Sequence, residues 1–285
     1  MKLIATLCLL ILGLCTADEL SAQHATYPFT VKTIGQGTQP IILIPGFGSS
    51  DEVWNETIQV LAQTYPCYKI NMAGYGGTKP APDPGFENWV QALAGFIRDN
   101  NIVKPIIIGH SMGGMMAMKL ASEFPDIPLA IIDVDGYPKD DFEEVPASGT
   151  QNINCDGMVK FMKSLTDEQF TATVMKGMAA NMIEDPTSIA RVIEMAQNSD
   201  RETYARTYCE LLTVDFRADL VNITCPVLVL SNAIIKDKYR ARAEGLFKNL
   251  KQASIRYAPS GGHMLMWEDW DWYISSITTF LGTIK

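Results

Sequence analysis

Ile106, Ile107, Ile108 and Gly109 form a short apolar run that passes without a spacer into His110-Ser111-Met112-Gly113-Gly114. A helical pattern follows over residues 113–124, and Pro105 marks where the run begins. A strand that turns directly into a helix restricts a chain severely. The strand belongs in a sheet, the helix must cross one face of that sheet, and the turn between them must be tight. Gly109 and Gly113 suit that turn, because side chains there would meet the crossing backbone. The spacing is G-x-S-x-G, which exposes a serine at the sheet edge beside the partial positive charge of a helix N-terminus. Ser111 is therefore the candidate nucleophile.

The same strand-then-helix rhythm extends along the chain. Apolar runs at residues 30–34, 41–44, 67–71, 129–135, 227–230 and 255–258 read as strands, and residues 53–64 and 86–100 read as helices. Continuous apolar runs, without polar alternation, suit parallel strands covered on both faces. The expectation is an α/β fold with a mostly parallel sheet flanked by helices. The 285 residues are 47% hydrophobic, enough for a large core without disulfides or metals. Residues 139–222 break the rhythm. They contain no convincing strand and carry Met158, Met162, Met175, Met178, Met182 and Met195. Thr166 to Gln169 resembles a capping box, and Pro186 opens another helix. The segment reads as a helical cap at residues 139–222, inserted between core portions at 23–138 and 223–285. Its methionines are expected mainly in helix packing, with one face lining an adaptable apolar pocket.

A serine needs a base. The chain has three histidines: His24, His110 and His263. His24 lies beside the expected cleavage site of an N-terminal signal segment and reads as a surface residue, and the side chain of His110 is expected to point away from the reaction centre. His263 remains, in Ser260-Gly-Gly-His-Met-Leu-Met-Trp267, after the last strand and before a C-terminal helix. An oxyanion needs two backbone N–H donors. Met112, just after the nucleophile, supplies one. Phe47, in the loop after residues 41–44, supplies the other.

Residues 1–22 read as a signal peptide: Lys2, a mostly apolar stretch from Leu3 to Leu14, then small residues. This implies a secreted or periplasmic protein with no stable membrane insertion once the segment is removed. Export permits disulfides, and Cys155 with Cys209 is the pair expected to bond, since both fall in the helical insertion. Cys67 and Cys225 lie in or beside strands and are expected as buried thiols. A net charge of −9 and the lack of any basic run disfavour nucleic acid as a partner. No cysteine or histidine spacing suggests a metal, and the chemistry calls for no cofactor.

Several of these pieces together resemble the α/β-hydrolase superfamily: Leu43 to Gly48 with Trp54 beyond, Gly74 to Gly77, Gly109 to Gly114, and Gly262-His263 followed by Trp267-Glu268. The resemblance spans about residues 30–280. It implies a third catalytic member, a carboxylate that orients the histidine. The family most often places that acid after the strand equivalent to residues 227–230. The matching slot is near Ile235, which cannot serve, and Asp237 is the nearest carboxylate. A minority of members place it after the preceding strand, which here ends at Asp133-Val134-Asp135. Asp135 is the preferred acid, with Asp237 and then Asp133 as alternatives. Where the family commonly has His-Gly in the oxyanion loop, this chain has Pro45-Gly46. Where it has Asp before the Gly-rich loop, this chain has Asn71. These residues point to hydrolysis of a carboxylic ester through an acyl-enzyme, and the methionine-rich cap points to a small or medium apolar substrate, with an apolar acyl or alcohol group. A lactonase or small-peptide aminopeptidase on the same residues is the nearest alternative. A weakly catalytic ligand-binding protein with a retained pocket is the alternative from another class.

Overall fold

Seven strands pair into one sheet in the computed structural model, which describes residues 27–139 and 153–284. The expected signal peptide and the start of the helical insertion lie outside those residues. The strands are β1 (Phe29–Ile34), β2 (Ile41–Ile44), β3 (Cys67–Met72), β4 (Ile106–His110), β5 (Ala130–Val134), β6 (Val227–Ser231) and β7 (Ala253–Tyr257). Their spatial order is β1-β3-β2-β4-β5-β6-β7. Only β1 runs antiparallel, against β3; all other pairs are parallel. β2, β4, β5 and β6 are buried at every position, because helices cover both faces.

The helices are α1 (Asn55–Leu61), α2 (Phe86–Asp99), α3 (Met112–Glu123), α4 (Cys155–Ser164), α5 (Asp167–Phe170), α6 (Lys176–Met182), α7 (Pro186–Gln197), α8 (Arg201–Leu211), α9 (Arg240–Leu246), α10 (Leu265–Glu268) and α11 (Trp270–Leu281). α2 turns one apolar face inward, with Trp89, Val90, Leu93 and Ile97 all buried. On the opposite face of the sheet, Trp54, Tyr273 and Ile277 join the second part of the core.

Helices alone fill the described chain between β5 and β6, apart from a single bridge of Lys139 with Asp215. Their starts follow local chemistry. Thr166 and Gln169 form a reciprocal capping box, and Asp185 caps α7 through the Ser188 N–H with Pro186 in the first turn. Asp200 caps α8 through the Thr203 N–H. A disulfide joins Cys155 on α4 to Cys209 on α8. Cys67 and Cys225 are free and buried, and burial pushes both thiols up to about 11.

Register decides where the site forms. Ile44 lies beside Gly109, His110 beside Val134, and Val134 beside Leu230. The carboxyl ends of β2, β4, β5 and β6 therefore finish level. The loops that follow them, and the loop after β7, meet at one edge of the sheet.

Candidate active site

Ser111 follows β4 immediately and is the N-cap of α3, with φ 53° and ψ −120°. A non-glycine residue seldom occupies that region, and the strain persists only where the surroundings enforce it. Here the Ser111 N–H donates to the Val134 carbonyl at 2.8 Å, holding the turn against β5. The flanking glycines have the expected steric reason. A Cβ on Gly109 would overlap the Gly113 carbonyl, and a Cβ on Gly113 would overlap the Ile44 carbonyl.

His263 Nδ1 lies 2.6 Å from Asp135 Oδ2. The carboxylate accepts, so this contact places the proton on Nδ1 and leaves Nε2 with its lone pair. Asp135 is itself tightly held and 2% exposed. Its Oδ2 also accepts from Asn232 Nδ2 at 2.6 Å, and its Oδ1 accepts from the Asn232 N–H at 3.0 Å and the Tyr137 hydroxyl at 3.1 Å. Four donors on one buried carboxylate fix its orientation and offset the cost of burying it. Asp135 sits just past β5 at φ 57°, a conformation that Asp tolerates better than most residues.

The other two carboxylates are placed differently. Asp237 lies in a helical turn after β6, with its side chain 69% exposed and its nearest charge partner Lys236 at 3.6 Å. Asp133 is fully buried within β5 and accepts from the Gly136 N–H at 3.0 Å. Burial, and then the charge of Asp135, holds its carboxyl well above the usual carboxylate range. Asn232, Tyr137 and Ser231, whose hydroxyl lies 2.6 Å from that of Tyr137, complete the support. None is singled out by a sequence pattern, although Asn232 is the first residue after β6.

His110 departs from expectation. Its ring does not turn away but lies 4.6 Å from the ring of His263, centroid to centroid. Its Nε2 donates to the His263 carbonyl at 2.9 Å. Complete burial, and then the neighbouring His263, lowers its pKa to about 3, so the ring is neutral at physiological pH. The reason is steric: the loop at Gly46 leaves room for the imidazole at the carboxyl end of β4.

Met112 opens α3, and its N–H is among the first-turn donors that have no intrahelical acceptor. Neither it nor the Phe47 N–H donates to a backbone carbonyl among the described residues. The Phe47 ring packs against Tyr204 at 4.2 Å and Tyr208 at 5.7 Å, so the loop after β2 touches α8. Ser111 and His263 open onto a cavity of about 90 Å³, roofed by Met175, Ala179, Met182, Ile183 and Tyr204 from the helical insertion. A larger polar cleft of about 390 Å³ lies elsewhere, between β1 and α7, and neither Ser111 nor His263 lines it. Among the described residues no helix is long and apolar enough to cross a membrane.

The β-sheet order, the strained serine at a strand-to-helix turn and the carboxylate-bonded imidazole define the class: this is a hydrolase of α/β architecture. Residues 41–275 match the Alpha/beta hydrolase family, and the chain belongs to that family. It is 26% identical over 271 residues to a pimeloyl-[acyl-carrier protein] methyl ester esterase of Aliivibrio fischeri, covering 90% of this chain and 98% of that one. Among solved structures, an esterase from Thermogutta terrifontis superposes with a TM-score of 0.77 at 18% identity, covering 93% of this chain and 96% of the other. An enol-lactonase from Burkholderia xenovorans gives 0.74 at 18% identity, covering 89% and 96%.

Proposed function

We propose that this enzyme cleaves a carboxylic ester of a small or medium apolar acyl substrate, with Ser111 as nucleophile, His263 as base and Asp135 as the orienting acid. The observation that carries the reading is the 2.6 Å contact between His263 Nδ1 and Asp135 beside a strained Ser111. Ser111 Oγ attacks the acyl carbonyl while His263 Nε2 takes its proton. The Phe47 and Met112 N–H groups receive the negative charge that develops on the carbonyl oxygen. The C–O bond to the alcohol then breaks, and His263 returns the proton to the leaving oxygen. Water, activated by His263, attacks the acyl-enzyme and releases the carboxylic acid, restoring Ser111.

The roof that Met175, Ala179, Met182 and Ile183 place over Ser111 and His263 acts as a cap and favours an aliphatic acyl chain over a charged one. The esterase names of the relatives, methyl ester esterases among them, fit the same bond class. We further propose that the protein is exported. The Cys155–Cys209 bond suits an oxidising compartment, in keeping with the signal-like residues 1–22. A panel of 4-nitrophenyl esters of two to twelve carbons, a lactone and an aminoacyl amide tests the reaction class. Turnover of short and medium esters above the other two supports the reading, whereas turnover confined to the lactone or the amide refutes it.

A further inference from the structure

The backbone around His263 is tied to the helical insertion as well as to the hydrolase core. The His263 N–H donates to the Met182 carbonyl, at the end of α6, at 2.7 Å. Glu268, the last residue of α10, bridges the same two regions. Its Oε1 accepts from the N–H groups of Glu184 and Asp185, each at 2.7 Å, in the turn between α6 and α7. Its Oε2 accepts from the N–H groups of Gly262 and Met264, at 3.1 and 3.2 Å, on either side of His263. Beside it, the Arg191 guanidinium of α7 stacks 3.8 Å over the Trp267 ring. Met182 and Ile183 from the same turn also line the cavity above Ser111.

One carboxylate thus accepts four backbone N–H donors, two from the turn that follows the roof residues Met182 and Ile183 and two flanking the base. Charge-assisted bonds of this kind are stronger than neutral ones. Small displacements of a catalytic group are costly in rate, about a hundredfold for a misplacement near 1 Å. From this geometry we propose that Glu268 is a positioning residue that locks the turn at residues 182–185 to the His263 loop. The base is then in register with Ser111 only while the roof is docked. The inference rests on the role proposed for His263.

A double-mutant cycle on a short 4-nitrophenyl ester tests it. Glu268→Ala is expected to lower kcat at least about fivefold. In a His263→Ala background it is expected to change the residual rate by less than about twofold, because a residue acting through His263 has nothing left to position. A loss smaller than fivefold in the first background, or an equal loss in both, overturns the proposal. Full turnover by His263→Ala alone refutes the catalytic reading instead, so the two failures are distinct. Glu268→Gln, nearly isosteric, provides the second measurement if the alanine variant does not fold. Amide hydrogen exchange is expected to accelerate together at Glu184, Asp185, Gly262 and Met264. Acceleration on one side only, or on neither, contradicts the coupling.

Discussion

Replacing Asp135 with Asn separates charge and proton direction from shape. The carboxylate accepts four donors: His263 Nδ1 and Asn232 Nδ2 on Oδ2, and the Asn232 N–H and the Tyr137 hydroxyl on Oδ1. A carboxamide keeps one acceptor oxygen and presents an NH2 group at the other position. With NH2 toward His263, Nδ1 must become the acceptor, the proton moves to Nε2, and the ring cannot take a proton from Ser111. With NH2 toward the Asn232 N–H, two donors face each other in a buried site, at a cost of about 1–3 kcal/mol. The first arrangement also sets that NH2 against Asn232 Nδ2, a clash that a flip of the Asn232 side-chain amide relieves, whereas the Asn232 backbone N–H in the second cannot turn away; the first is therefore favoured, and kcat is expected to fall about 10³–10⁴-fold. The assay is steady-state hydrolysis of 4-nitrophenyl butyrate, with the unfolding midpoint measured alongside. Asp237→Asn, on an exposed side chain, is expected to leave kcat within about twofold. More than a tenth of the activity remaining in folded Asp135→Asn, or a large loss in Asp237→Asn, refutes the reasoning.

Gly113→Ala drives a methyl group into the Ile44 carbonyl and is expected to cost about 1–3 kcal/mol, read as a lower urea midpoint; an unchanged midpoint contradicts the packing described here. His110 contributes pH dependence to stability. Its folded pKa is lowered to about 3 from 6.5, so stability is present above pH 6.5 and is lost as pH falls toward 3. The slope reaches about 1.4 kcal/mol per pH unit and is expected to vanish in His110→Gln; parallel stability curves for the two proteins refute it. Reducing the Cys155–Cys209 bond, which spans 54 residues, removes about 4 kcal/mol of stabilisation in the chain-entropy account. Equal thermal midpoints with and without reductant contradict that expectation.

Much of the frame is legible in the sequence because parallel strands buried on both faces show no alternation. β2, β4, β5 and β6 read as plain apolar runs and are found within a residue or so of those runs. The turn at Ser111 is legible because its glycines, strand and helix all point to the same geometry. The antiparallel direction of β1 is not legible, since a single edge strand carries no sign of its sense. The partners of Asp135 are also hidden. Asn232 is 97 residues away and reaches Asp135 only because β5 and β6 are neighbours. His110 is misread for a related reason: strand alternation gives the direction of its side chain but not the space beside the loop at Gly46. Glu268 stands five residues beyond His263, in a helix of four residues. Two of its four contacts, those with Glu184 and Asp185, depend on how the insertion docks, which no local pattern encodes.

The central claim is that Ser111 is a nucleophile activated by the groups around it. A fluorophosphonate carrying a reporter reacts covalently with such a serine and with few others. The expected result is one adduct per chain, located by peptide mass spectrometry on Ser111. It should be absent from Ser111→Ala and strongly slowed in His263→Ala. An adduct on another residue, or no adduct on folded protein, would contradict the account.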